Sequence, residues 1–314
     1  VDRVDILNAM GIANRKLGLF HGSFDYFQQA NAIRASLRDY DAEAALKDMD
    51  RIMQAYSPEA VAHPAGIPDV EPILVVGLPG CGSTLVEQIL AAHSQVSGRG
   101  EIDAFASVLR ETFVAGGDAD IAALASLTEE QWAELGGEYL ERLRVSGPDS
   151  QRIVDKSLNN CLLLGAIHCA MPQARIVHVR RHPLDICLSI YTSNIQGSLY
   201  DYGLRLETLG EYCKKYLELM SHWRKALPAG VMYELDYEQL VSNQEEETRG
   251  LLEACGLPWE EQCLNFQAGG ERVNTASIMQ VRQPMYTKSV ARWKRYEKEL
   301  KPLIDILGTD YPDL

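Results

Sequence analysis

The stretch from Pro72 to Thr84 constrains this chain more than any other. The apolar run Ile73-Leu74-Val75-Val76 stops at a turn carrying Gly77, Pro79, Gly80 and Gly82. Ser83 and Thr84 then open a segment with Leu85, Val86, Ile89 and Leu90 at helical spacing. An apolar run of four, a glycine turn and a helical period predict strand, tight loop and helix. Such a loop aims backbone N–H groups at one point near the positive end of a helix dipole, which suits a phosphate. The spacing Gly77-x-x-x-x-Gly82-Ser83-Thr84 is close to the nucleotide-triphosphate P-loop, but Ser83 stands where that motif requires lysine. No acidic strand end is evident to hold magnesium either, so a P-loop kinase is disfavoured.

The flanking sequence alternates strand and helix. Residues 4–36 read as a helical hairpin. Met10, Gly11, Asn14, Gly18, Ser23, Phe27 and Ala30 fall on the small and apolar positions of a tetratricopeptide repeat of roughly 34 residues, with Asn14 the poor fit. One repeat cannot bury its own face, so it should pack on the rest of the chain or end a truncated array. The chain starts inside a helical pattern, which is expected of a fragment or trimmed product. A further helix is expected over 41–56, and four prolines from Ser57 to Pro72 make 57–71 a linker. Strands are expected at 73–76, 152–154, 174–180 and 231–235. Gln95 to Glu101 reads as a loop, and helices are expected over 102–110, 129–145, 206–227, 245–255 and 289–307. The expected fold is α/β, a parallel sheet with helices on both faces, preceded by a short all-helical segment. Ligands in such folds gather at the carboxyl ends of the strands, which would turn the polar clusters after 76, 154 and 180 toward one crevice.

Composition narrows the function. The net charge of −14 disfavours nucleic acid as a partner. No apolar run reaches the roughly 20 residues of a membrane span, and no signal-peptide layout opens the chain. Seven scattered cysteines without a C-x-x-C pair predict free thiols, no structural zinc and a reducing, cytoplasmic setting. Against the acidic background, residues 271–298 carry Arg272, Arg282, Lys288, Arg292, Lys294, Arg295 and Lys298 with only Glu271 and Glu297, a local +5. That segment suits an anionic ligand or a solvated face.

Together these clusters resemble one family. Val76 to Leu90 is similar to the phosphosulfate-binding loop of tetratricopeptide-linked and tyrosylprotein sulfotransferases. Arg181-His182-Pro183 through Ser189 resembles their 3′-phosphate motif. Val154-Asp155-Lys156-Ser157, Tyr237-Glu238-Gln239-Leu240-Val241, and Thr275-Ala276-Ser277 through Arg292-Trp293-Lys294-Arg295-Tyr296-Glu297 come in the same order, from about residue 71 to 307. The resemblance implies 3′-phosphoadenosine 5′-phosphosulfate (PAPS) as co-substrate without a metal. It also implies a hydroxyl acceptor (small molecule, saccharide or peptide) and a protein partner at the helical repeat. It divides the chain into a helical segment at 1–56, a linker at 57–71 and a sulfotransferase domain at 72–314.

The resemblance also distributes roles. Gly80, Cys81, Gly82, Ser83, Thr84 and Leu85 would cradle the 5′-phosphate, although a turn needing glycine and a serine cap explains the same residues structurally. Arg181 and Ser189 would grip the 3′-phosphate, where the arginine's planar fork gives paired charge-assisted bonds. Lys156 would stabilise the leaving oxygen, or else be a surface lysine paired with Asp155. Glu101 would be the general base. Tyr237, Ser277 and Arg282 would lie against the nucleotide. His178 alternates with apolar residues and reads as a satisfied core histidine. The loop departs from the family in one respect: Gly80 stands where a basic residue is usual and Cys81 where serine is. Losing one such donor costs about 100- to 1,000-fold in rate. Lys156, Arg282 or Arg99 would have to compensate, or the chain is a non-catalytic nucleotide-binding or scaffold protein on this fold.

Overall fold

Ile73–Val76 forms β1, and all four side chains are fully buried. An unbroken apolar strand is what a parallel sheet covered on both faces requires. The computed structural model describes residues 3–67, 71–112, 120–145, 152–195, 197–268 and 289–309. Ser277 and Arg282 lie outside the described residues. Four more strands, β2 (Val96–Gly98), β3 (Arg152–Asp155), β4 (Arg175–Arg180) and β5 (Met232–Asp236), join β1 in the order β2-β3-β1-β4-β5. All pairs are parallel, so the sequence-based α/β assignment is correct. The sheet extends from β1 toward β3 on one side and β4 on the other, the arrangement that opens a crevice at the strands' carboxyl ends.

Contacts divide the chain into two compact units. One contains Asp50–Arg180 and Leu219–Thr287, and so holds the whole sheet. Its helices include Ser83–Ala91, which follows β1, Ala104–Thr112, and Glu129–Val145, whose Tyr139 and Leu143 are fully buried. At about 1.5–3 kcal/mol for each fully buried large apolar side chain, β1 and its flanking helices form a substantial core. The other unit contains Val1–Met49, Arg181–Glu218 and Lys288–Leu314. It begins with a helical hairpin, α1 (Arg3–Lys16) and α2 (Phe20–Ser36). Gly11 admits the Phe27 ring, since a Cβ there would lie 2.8 Å from it, and Ser23 Oγ donates to the Gly11 carbonyl at 2.8 Å. Those small residues set how closely the helices approach. Met10, expected on a packed position, is 40% exposed.

Three local expectations fail for identifiable reasons. Gln95–Glu101 is not all loop, because Val96–Gly98 pairs with β3 as an edge strand. The segment expected as linker contains a helical turn, Pro58–Val61, capped by Ser57, and its Gly66 and Ile67 N–H groups donate to the carbonyls of Cys169 and Ala170. The final helix is shorter than expected. Residues 292–296 are a 3₁₀ turn, Ala291 has φ +54°, and the α-helix spans only Lys301–Leu307. Pro302 lacks an N–H and disfavours helical backbone at the residue before it, so it starts a helix rather than continuing one.

Candidate functional site

Within the sheet unit, the loop after β1 is built by glycine. Gly80 has φ +89° and Gly82 φ +108°, a region that side-chain-bearing residues avoid. A Cβ on Gly82 would also sit 2.5 Å from the Tyr237 ring, so Tyr237, itself 8% exposed, is packed on the loop. Cys81 N–H donates to the Leu78 carbonyl at 3.0 Å, which closes the turn, and Gly82 caps the helix Ser83–Ala91 without a side chain. Ser83 and Thr84 are buried, whereas Leu85, Gly80 and Gly82 are half-buried. Among the described residues no acceptor takes the Ser83 N–H. The loop therefore offers a helix N-terminus that a side-chain cap does not fill, and this fits a phosphate.

Glu101 and Lys156 follow the neighbouring strands β2 and β3, and β3 pairs directly with β1, the strand that feeds this loop. The pairing of Gly98 with Val154 brings the two segments side by side. Arg99 N–H donates to the Val154 carbonyl at 2.9 Å and Lys156 N–H to the Gly100 carbonyl at 3.1 Å. Beyond the pairing, Lys156 Nζ donates to Glu101 Oε1 at 2.5 Å. Lys156 is fully buried, while the Glu101 side chain is 43% exposed. The surface lysine paired with Asp155 is thus excluded. Asp155 is taken otherwise: Tyr139 Oη donates to its Oδ2 at 2.6 Å, Asn160 Nδ2 at 3.1 Å, and Ser157 N–H to Oδ1 at 2.8 Å. Two acids do end strands, Asp155 on β3 and Asp236 on β5, contrary to the expectation that none does.

Sequence reasoning gave no role to Glu87, although it lies in the loop motif. It is buried and accepts the Gly100 N–H at 2.6 Å. Burial pushes its carboxyl above the ordinary range, and the Lys156 ammonium and Gly100 N–H only partly oppose this. A buried acid on an otherwise apolar helix face was the available signal. Arg99 does not replace the cation missing at Gly80, because its guanidinium donates to the Leu143 carbonyl at 2.9 Å and to Ser97 Oγ. His178 is a core histidine as expected, with Nδ1 3.2 Å from Glu234 Oε1.

In the other unit, Arg181 follows β4 in the chain and precedes the helix Pro183–Tyr191. His182 caps that helix by accepting the Leu184 N–H, and its ring stacks on Trp293 at 5.3 Å. Arg181 Nη2 donates to the Ser289 carbonyl at 2.5 Å and lies 3.9 Å from Asp185 Oδ2, while Asp185 Oδ1 accepts the Trp293 N–H at 2.8 Å. Ser189, one turn beyond Asp185, is half-buried, and its hydroxyl has no hydrogen-bond partner among the described residues. All seven cysteines are buried free thiols.

Comparisons with known proteins agree with this geometry. A model described as the sulfotransferase family matches residues 72–261. An uncharacterized protein of Aquifex aeolicus (strain VF5) is 34% identical over 310 residues, 93% of this chain but 40% of that protein, so the chain spans less than half of that relative. A putative protein-tyrosine sulfotransferase of Caenorhabditis briggsae is 23% identical over 252 residues, covering 76% of this chain and 89% of its own length. The sulfotransferase domain of the Synechococcus PCC 7002 olefin synthase superposes with a TM-score of 0.53 at 17% identity, over 80% of this chain and 98% of that domain, which shows the shared fold. The matched segment contains the glycine loop, Glu101, Lys156, Arg181 and Ser189, and the chain belongs to the sulfotransferase family.

Proposed function

We propose that this protein transfers a sulfonyl group from PAPS to a hydroxyl acceptor. The observation that carries the reading is the meeting of Glu101 and Lys156, 55 residues apart in sequence, at 2.5 Å. When bound, PAPS supplies an activated sulfonyl group on its 5′-phosphate. The N–H groups of residues 80–85 and the hydroxyls of Ser83 and Thr84 hold that phosphate, with Tyr237 beside the loop. Arg181 and Ser189 are assigned the 3′-phosphate on their motif, and Ser277 and Arg282 keep their proposed places against the nucleotide. Glu101 takes the proton of the acceptor hydroxyl as its oxygen bonds to sulfur, and Lys156 stabilises the electron pair received by the leaving phosphate oxygen. The ion pair serves both ends of this exchange, because it holds the carboxylate and the ammonium side by side. The relative from Caenorhabditis acts, by its name, on a phenolic hydroxyl, which belongs to the acceptor class proposed.

The same reading keeps a domain over 72–314 preceded by a linker and a repeat-like hairpin that takes a protein partner. It also keeps the cytoplasmic setting, supported by the free thiols. No helix among the described residues is long and apolar enough to cross a membrane. Gly80 favours a second reading, nucleotide binding without turnover, because Arg99 is occupied elsewhere. Incubation with sulfur-labelled PAPS and a panel of phenols, sugars and peptides separates the two. Label transfer is expected; binding without transfer selects the second reading. No binding, with no change on Arg181→Ala, overturns both.

A further inference from the structure

Arg292 presents a charge without a local solution. Its guanidinium is half-buried and takes neither hydrogen bond nor ion pair among the described residues. The charged groups acting on it are Arg15 and Arg181, which repel it, and Asp185, which attracts it. Among the described residues, these three guanidinium groups against one carboxylate leave a formal +2. Burial and the two arginines push the Arg292 guanidinium below its ordinary value, the direction expected where positive charge is crowded out of water.

The arrangement is organised by one helix face. Asp185 and Ser189, four apart, share one face of the helix Pro183–Tyr191, and Arg181 just before the helix and Thr192 at its C-cap extend this stripe at either end. At the near end of the stripe, Arg181 reaches the Ser289 carbonyl and Asp185 binds the Trp293 N–H, which anchors the segment carrying Arg292. At the far end, Arg15 Nη1 donates to Thr192 Oγ1 at 3.4 Å, and its guanidinium stands 5.7 Å from the centre of the Phe27 ring. Ser189 lies between the two ends, and its hydroxyl has no hydrogen-bond partner among the described residues. Arg15 belongs to α1, so a residue of the amino-terminal hairpin reaches this face from far earlier in the chain.

We infer that Arg15 is an anion ligand of this protein, joining Arg181 and Arg292 around Ser189 to hold a phosphate monoester dianion. The inference rests on the proposed reading of Arg181 and Ser189 as the 3′-phosphate grip, and it makes a residue of the hairpin part of that grip. A phosphate monoester carries about −1.5 to −2 charges at neutral pH, which matches the excess. Planar guanidinium forks suit its three terminal oxygens.

The test is calorimetric titration of the whole chain and its variants with adenosine 3′,5′-bisphosphate and with adenosine 5′-monophosphate. Arg15→Gln is expected to weaken the bisphosphate about tenfold, as loss of one charge-assisted hydrogen bond does, and to leave the monophosphate unchanged. Arg15→Lys, which keeps the charge and loses the fork, is expected to fall between wild type and Arg15→Gln, and it serves where Arg15→Gln does not fold. Equal weakening of both nucleotides would show that Arg15 only supports the fold and would overturn the inference. Unchanged bisphosphate affinity in Arg15→Gln or Arg15→Lys, with a selective loss in Arg181→Gln, would overturn the role of Arg15 alone. A wild-type protein that does not prefer the bisphosphate would remove the 3′-phosphate reading itself and Arg15 with it.

Discussion

Lys156 and Arg292 are both basic side chains drawn out of water, and the protein treats them in opposite ways. Lys156 is fully buried, yet its charge meets Glu101 at 2.5 Å, and the neighbouring acids Asp155 and Glu87 each have hydrogen-bond donors. Arg292 is half-buried, and the charged groups that act on it among the described residues are two more arginines and a single aspartate. A buried charge without a partner is costly, so a pattern like that around Arg292 suits a counterion arriving from outside. A closed pair like that around Lys156 suits a reaction in which a proton and a charge change owners on the spot. Around Lys156 the charge is answered by Glu101, whereas around Arg292 positive charge is in excess among the described residues.

The comparison breaks most easily at Glu101. Glu101→Gln is expected to lower kcat about 100- to 10,000-fold, the range for removing a general base, and a steady-state assay retaining full kcat would remove Glu101 from the reaction. Lys156→Met is expected to cost about 100- to 1,000-fold in kcat with little change in KM. A loss confined to KM would move Lys156 from the chemistry to donor binding. Arg292→Met sharpens the other half of the comparison. Bisphosphate affinity should fall about tenfold, while the melting temperature of the ligand-free protein should stay level or rise. A fall in melting temperature would mean that the Arg292 charge is already satisfied.

Glu87 carries the smallest expected effect. Its folded carboxyl titrates above the ordinary value because of burial, so the native state holds a proton that the unfolded chain has released. Stability therefore declines as pH rises from the ordinary carboxyl value toward the raised one. Glu87→Gln keeps an acceptor for the Gly100 N–H and should flatten that slope in urea titrations repeated across pH. An unchanged slope would assign it to another group.

The strand, glycine loop and helix at 73–91 were legible because each signal is local. A buried parallel strand reads as an apolar run, φ values near +100° call for glycine, and a helix shows its period within two turns. The candidate residues were legible as types, since motifs preserve the chemistry of Lys156, Arg181 and Ser189. Their pairing was not legible. Lys156 meets Glu101 only because Val96–Gly98 is a strand in register with β3, and that three-residue edge strand looked like loop. Arg15 was invisible for a related reason: α1 carries an ordinary surface-like pattern, and nothing nearby in sequence announces Thr192 or Arg292. The break at Ala291 and Pro302 was partly visible, because the proline was there to be read.

By itself, then, the sequence determined a parallel α/β fold organised around a glycine loop, together with the kinds of side chain near it. Turn geometry, helical period and strand hydrophobicity act over a few residues, so they survive in linear order. Only the tertiary structure decided which charges neutralise one another and which stay open. That choice depends on strand order and register in the sheet unit, where β3 pairs with β2 and β1, and on helix packing in the unit that carries α1 and Arg292. Charges separated by many residues interact strongly only once folding has brought them within a few ångströms and removed the water between them.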